Sequence, residues 1–289
     1  MDRPSFENIH GSVKTAQASS HLFEGAKLSF TKGLSETFQI SHNFEFGNPS
    51  LYMFNATFVD LLPGTQSPRT ILIGNMDTTQ SFLARVIRNF GNLTTTAIFQ
   101  QYTRQSQSQL VTQLEADYQG SDHYVSLKVG DPDIVNESGA WFFSYLQSFT
   151  RKFSLGGALR YEYSNGLEDA VTTVGGSYKN DDHWQANATF EGRITGLSNF
   201  NLSYLKKIHR TTNFFLDFEG QFFGESKVTG GYEANFQHAT VRSQVNTAGE
   251  VYTFIERKLA PGISFKFGGS LDHKSNEQRY GFGFFIGGP

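Results

Sequence analysis

The 289-residue chain has no cysteine, which excludes a disulfide framework, a thiolate metal site and a cysteine nucleophile. It has no run of about 18 consecutive apolar residues, so no helix is expected to cross a membrane. Charge is sparse: Asp, Glu, Lys and Arg make up 18 % of the chain, against about 25 % in an average globular domain. The net charge is −3, which gives no basic footprint for nucleic acid. The opening residues MDRPSFENIH have neither the basic nor the apolar region of a secretory signal, so a barrel exported by the bacterial route is not expected. There is no G-x-S-x-G, no P-loop and no G-x-G-x-x-G. The eight histidines, at 10, 21, 42, 123, 183, 209, 238 and 273, lack the spacing of metal ligands. An enzyme, a resident metal and a cofactor are therefore all unexpected.

Glycine and aromatic residues fill the gap, with 29 Gly, 29 Phe and 12 Tyr, alongside many uncharged polar residues, as in antiparallel β proteins. In the first twenty residues Phe6, Ile9, Val13 and Ala16 recur at helical spacing, and Pro4 suits a first helical turn. Residues 1–22 read as a short amphipathic helical segment, or more blandly as a frayed terminus. From Gly25 onward the period is two. Phe153, Leu155, Gly157, Leu159, Tyr161 and Tyr163 alternate with Ser154, Gly156, Ala158, Arg160 and Glu162. The same pattern recurs in Phe38–Phe46, Trp184–Phe190, Phe214–Phe218, Ile263–Phe267 and Tyr280–Ile286, as in strands with one apolar and one polar face. Turn signals separate the runs: Gly47-Asn48-Pro49, Pro63-Gly64, Asn165-Gly166, Asn180-Asp181-Asp182 and Pro261-Gly262. Gly130-Asp131-Pro132-Asp133 reads as a further turn.

Strand length decides between a soluble sheet and a membrane wall. Many runs reach about nine to eleven residues, the length of a tilted transmembrane strand, whereas soluble strands average about five or six. At roughly 14 residues per strand and turn, the chain from Gly25 holds roughly 19 strands. Hydrophobic residues are 38 % of the chain, enough to coat one face of such a sheet but not to fill a second, packed interior. The expectation is an all-β fold: a transmembrane antiparallel β-barrel of about 19 strands spanning residues 23–289, with the N-terminal helix in or near its pore. A soluble β-sandwich binding protein is the reading from a different class.

Several blocks resemble one family. They are FEGAKLSFTKGLSETFQISHNFEFG (Phe23–Gly47), ILIGNMDTTQSFLARVI (Ile71–Ile87), ADYQGSDHYVSLKVGDPD (Ala116–Asp133) with the stretch to Tyr161, and ERKLAPGISFKFGGSLDHK (Glu256–Lys274) running into YGFGFFIGG. They are similar to the channel subunits of the mitochondrial outer-membrane protein translocase, the Tom channels, which group with the eukaryotic voltage-dependent anion channels. The C-terminus fits the mitochondrial β-signal (polar, any, Gly, any, any, hydrophobic, any, hydrophobic) through Arg279, Gly281, Phe284 and Ile286. The resemblance implies a 19-stranded barrel in the mitochondrial outer membrane, with first and last strands parallel and a helix passing through the pore. The implied cargo is precursor polypeptides, including presequences that form basic amphipathic helices. The implied partners are receptor-type and small single-helix Tom subunits, a second copy of the chain, and membrane lipid. Family members often carry a longer Pro-rich N-terminal extension, and nothing about that extension carries over to this sequence.

A protein-conducting pore needs weak, reversible contacts rather than bond chemistry. If the apolar faces meet lipid, strand parity turns Glu45, Glu115, Asp117, Glu162, Glu191, Asp217, Glu219 and Glu233 inward. Acids there would attract basic presequences. Lys27, Lys128, Arg160, Lys227, Arg242 and Lys266 share that face, so a mixed lumen is expected. Phe143, Phe215 and Phe285 are the inward apolar candidates by parity. Lys27 and Arg279, near the first and last strands, are the candidates for contact with a second barrel or with lipid. The rival within the same fold is a metabolite-passing anion channel, which predicts anion preference and indifference to presequence peptides.

Overall fold

The computed structural model describes residues 5–47, 49–62, 67–104, 107–133, 138–164, 166–180, 183–193, 196–222 and 224–287. Pro4, Asn48, Pro63-Gly64, Asn165 and Asp181-Asp182 lie outside these. The N-terminal segment contains one α-helix, α1 (Gly11–Ala16), between two 3-10 turns at Phe6–Asn8 and Ser19–His21. The strands follow as β1 (Gly25–Gly33), β2 (Phe38–Phe46), β3 (Leu51–Leu61), β4 (Pro68–Asp77), β5 (Phe82–Phe90), β6 (Leu93–Arg104), β7 (Gln107–Gln119), β8 (His123–Asp133), β9 (Ser138–Ser148) and β10 (Phe153–Ser164). The second half comprises β11 (Leu167–Asn180), β12 (Trp184–Arg193), β13 (Gly196–His209), β14 (Thr212–Gln221), β15 (Ser226–Asn235), β16 (Ala239–Asn246), β17 (Glu250–Ala260), β18 (Ile263–Asp272) and β19 (Gln278–Ile286).

Each strand pairs antiparallel with its neighbour in sequence, and β1 closes the 19-stranded sheet by pairing parallel with β19. The parallel seam follows from arithmetic: in an up-and-down meander an odd strand count leaves the first and last strands pointing the same way. Closure leaves no open edge, so backbone polar groups find partners within the sheet, as a hydrocarbon environment demands. At the seam, Gly25 opposes Gly281 and Phe30 opposes Ile286.

Gly130-Asp131-Pro132-Asp133 is not the turn expected. It ends β8, where the register against β9 shifts between Gly130 and Asp133 and Asp131 has φ 45°. Pro132 has no N–H to donate, so the ladder skips a residue and bulges instead of reversing. Pro261-Gly262 does reverse the chain, with Gly262 at φ 75°.

The two faces of the wall are read from the N-terminal segment, which lies inside the barrel. Phe6 and Ile9 pack against Leu146 and Ala158, and Val13 and Ala16 pack against Phe215. Residues two apart share a face, so β9 presents Ala140, Phe142, Ser144 and Leu146 inward and Trp141, Phe143 and Tyr145 outward. The outer face carries the exposed large apolar side chains of the barrel band, among them Leu72, Leu114, Leu127, Leu159, Val174, Phe282 and Phe284. The four apolar residues at helical spacing, Phe6, Ile9, Val13 and Ala16, are all buried. They form a stripe along a broken helical path rather than one continuous helix.

Candidate functional site

The inner wall is the surface that cargo would touch. In the observed register all eight sequence-predicted acids share the inner face with residues that touch the N-terminal segment. Four of them are matched by a cation on the same or an adjacent strand. Lys27 Nζ lies 2.6 Å from Glu45, Arg160 Nε 3.3 Å from Glu162, and Arg242 Nη2 2.8 Å from Glu233. Lys128 Nζ bridges Glu7 at 2.6 Å and Glu115 at 3.8 Å. Lys227 pairs with Glu250 and Lys266 with Glu256. Sequence parity found the charges but not these pairings, which depend on cross-strand register.

Four acids have no ion-pair partner among the described residues. Asp117 lies beside Tyr124 on the inner face. Glu191 accepts a hydrogen bond from Asn199 at 3.2 Å and Glu219 one from Asn201 at 3.2 Å. Asp217 Oδ2 accepts from Gln17 Nε2 at 2.8 Å. Three of them, Glu191, Asp217 and Glu219, lie on β12 and β14, which flank the amide- and serine-bearing inner face of β13: Glu191 opposes Asn199, Asn201 opposes Glu219, and Ser203 opposes Asp217. These three acids form no ion pair among the described residues, although Lys227 stands across from Glu219 and is itself paired with Glu250, and the N-terminal segment is seated beside them.

The seat is polar as well as apolar. His10, which precedes α1, makes ring-nitrogen hydrogen bonds with Ser203 Oγ at 2.6 Å and Thr189 Oγ1 at 3.0 Å. Ser12 donates to Gln185 at 3.2 Å, and the Ser19 backbone N–H donates to Gln244. Burial pushes His10 down to about 4, with Lys14 nearby adding to the effect, so the docked ring is neutral near pH 7. His10, Gln17, Thr189 and Ser203 were not marked by sequence reasoning. Hydrogen bonds between residues about 180 to 200 positions apart leave no local signal.

Two placements correct the sequence expectations. Phe143 points outward, 46 % exposed, in a cross-strand row with Leu127 and Leu159. Its neighbour Phe142 is the inward aromatic, with Lys128 Nζ 5.8 Å from its ring centre. Lys27 lies inside, against Glu45 and over the Phe23 ring, so its amine does not reach the surface where a second barrel would sit. Arg279 sits at the rim beside Glu24 and Glu277. Phe215 is fully buried on the inner face, and Phe285 lies there too, with Lys266 Nζ 4.4 Å from its ring centre. In the terminal motif Gly281 faces inward, while Phe284 and Ile286 face outward opposite Leu28 and Phe30.

Among the described residues the Glu233–Arg242 pair is the most buried ion pair of the wall, with side chains 13 % and 11 % exposed, and Arg242 Nε and Nη1 have no hydrogen-bond partner there. Glu233→Gln is expected to cost about 2 kcal/mol of barrel stability, because it strands a buried cation in a wall that water reaches only in part. The midpoint of guanidinium unfolding in detergent checks this, and an unchanged midpoint would contradict it.

A sequence profile of the family described as eukaryotic porin matches residues 3–283. The chain belongs to the eukaryotic porins. This porin is 30 % identical over 296 residues to mitochondrial import receptor subunit TOM40 homolog 2 of Drosophila melanogaster, covering 98 % of the chain and 83 % of that protein. It is 30 % identical over 294 residues to the mitochondrial import receptor subunit TOM40 homolog of Homo sapiens, covering 98 % and 78 %. Among solved structures, an engineered variant of the Rh. blastica porin aligns with a TM-score of 0.52 at 13 % identity, over 83 % of the chain and 97 % of that protein. That last likeness speaks to the barrel fold alone.

Proposed function

We propose that this porin is the protein-conducting channel of the mitochondrial outer membrane, passing unfolded presequence-bearing and other precursor polypeptides from the cytosol to the intermembrane space without bond chemistry. The observation that carries the reading is the group of acids without ion-pair partners, Glu191, Asp217 and Glu219, on the inner wall of a closed pore. Its relatives named as import receptor subunits support the same reading. A basic amphipathic segment gains there from charge attraction over a Debye length of about 8 Å, and no single contact is strong enough to trap it. Receptor-type and single-helix subunits, a second copy and lipid would meet the outer apolar face, where Phe284 and Ile286 flank the seam. Arg279, which shares the inner-face parity of Gly281, remains a proposed contact only at the rim.

Conductance in a planar bilayer tests the proposal. A cation-preferring pore transiently blocked by a basic presequence peptide, and not by a scrambled non-amphipathic one, is expected. An anion-preferring pore indifferent to the peptide would overturn it in favour of a metabolite channel. Neutralising Glu115, Asp117, Asp217 and Glu219 together to amides is expected to weaken peptide binding about tenfold at low salt. It should also flatten the salt dependence. Unchanged affinity at low ionic strength would remove the role proposed for these acids.

A further inference from the structure

The occupant of the acidic stretch resembles the cargo proposed for it. From His10 to Leu22 the segment contains no acid and carries Lys14. Its apolar side, Val13 and Ala16, packs on Phe215 with Leu205 beside it, and its polar side hydrogen-bonds the wall through His10, Ser12 and Gln17. It is a short, basic, amphipathic peptide lying on an apolar spot flanked by carboxylates.

One contact in this seat is incomplete. Asp217 is 4 % exposed. Its Oδ2 accepts from the Gln17 amide at 2.8 Å, while Oδ1 has no hydrogen-bond partner. A buried carboxylate gains most from a cationic donor that engages both oxygens, and an amide supplies only one neutral hydrogen bond. A guanidinium at the place of Gln17 would satisfy both oxygens and neutralise the charge. The chain's own segment therefore holds the site with a weaker donor than an arginine-bearing peptide would bring.

We propose that Phe215, Leu205, Asp217 and Glu219 form a subsite for basic amphipathic segments of precursors, and that residues 10–17 occupy it as an internal placeholder displaced when cargo enters. This inference rests on the channel reading above and names the site and the competitor within it. Cargo binding and segment docking are then mutually exclusive, and strengthening the placeholder weakens the cargo.

The full chain in lipid nanodiscs, probed with a fluorescent arginine-containing amphipathic peptide, tests this. Gln17→Arg is expected to lower peptide affinity about tenfold or more, and Gln17→Ala to raise it a few-fold. A tether gives a second reading. Ser12 and Gln185 are in side-chain contact at 3.2 Å and the chain has no native cysteine, so Ser12→Cys with Gln185→Cys is expected to cross-link on oxidation. The oxidised protein should lose peptide binding and regain it on reduction. Wild-type affinity in both Gln17→Arg and the oxidised tether would overturn the placeholder while leaving the channel reading intact. Failure of the cross-link to form would also overturn it, because the segment would then lie elsewhere. A wild-type protein that does not bind the peptide would overturn both.

Discussion

Gly281→Val is expected to keep the barrel from closing. A side-chain carbon at Gly281 would overlap the Phe23 carbonyl oxygen and lie 2.8 Å from its carbonyl carbon. These are backbone atoms, so no rotamer change can make room. Either the chain leading into β1 or the last strand has to move, and the parallel ladder from Gly25–Gly281 to Phe30–Ile286 moves with it. Opening that ladder exposes a row of amides and carbonyls, each costing several kcal/mol in hydrocarbon. A destabilisation well above about 4 kcal/mol is expected, large enough to abolish the folded barrel. Phe284→Ala should do much less, since Phe284 faces outward and loses mainly its contact with Phe265, ring centres 5.1 Å apart. Gly74→Ala is the matched control, because a side-chain carbon there meets no atom within 4 Å. Heat-modifiable mobility after refolding in detergent measures closure without any cellular machinery. It thereby separates steric failure from loss of a recognition signal, which would appear only on insertion into mitochondria. Normal refolding of Gly281→Val in detergent would rule out the steric account and leave recognition alone.

How far this barrel was legible in its sequence depends on which physical constraint each residue obeys. Lipid on one side and water on the other impose a period of two, so Leu155, Gly157 and Leu159 against Ser154, Gly156 and Ala158 could be sorted by face before any coordinates. The same rule turned Asp217 and Glu233 inward. It failed at Trp141-Phe142-Phe143, where aromatic residues occupy both faces: Phe142 is held inside by Lys128 and by the buried cluster around Phe6, so apolar character no longer reports lipid. It failed again at Asp131-Pro132, where a bulge and a turn use the same residues. Lys27 reads in sequence both as inward by parity and as a seam contact by position, and its ion pair with Glu45 decides for the inside. Ion pairs such as Glu233–Arg242 require that register as well. The seat of the N-terminal segment required more still, since Gln17 meets Asp217 across the pore interior and no periodicity encodes that contact.

Acidification is expected to release the N-terminal segment, with His10 as the titrating group. Docking buries the ring between Ser203 and Thr189 and holds it at about 4, against 6.5 when free in water. The undocked segment therefore binds more protons between these values, and docking weakens as pH falls through that window while remaining at full strength above it. The ceiling of the effect is about 3 kcal/mol, and at pH 5 about 2 kcal/mol is expected. Lys14, the charged neighbour, stays protonated throughout and only reinforces the preference for a neutral ring. Cleavage of residues 1–20 by a protease that survives at pH 5 reports release: it should accelerate between pH 7 and 5 in the wild type. In His10→Asn, whose amide keeps polar groups near both hydroxyls but does not titrate, the rate should stay flat. Equal acceleration in His10→Asn would assign the response to another group. The same pH step separates two effects on cargo by their sign. Protonating wall carboxylates removes attraction and can only weaken a basic peptide, whereas releasing the placeholder exposes Phe215 and Asp217 and strengthens it. A rise in peptide affinity from pH 7 to pH 5.5 that disappears in His10→Asn is therefore the result expected of a wall whose own chain stands in for cargo.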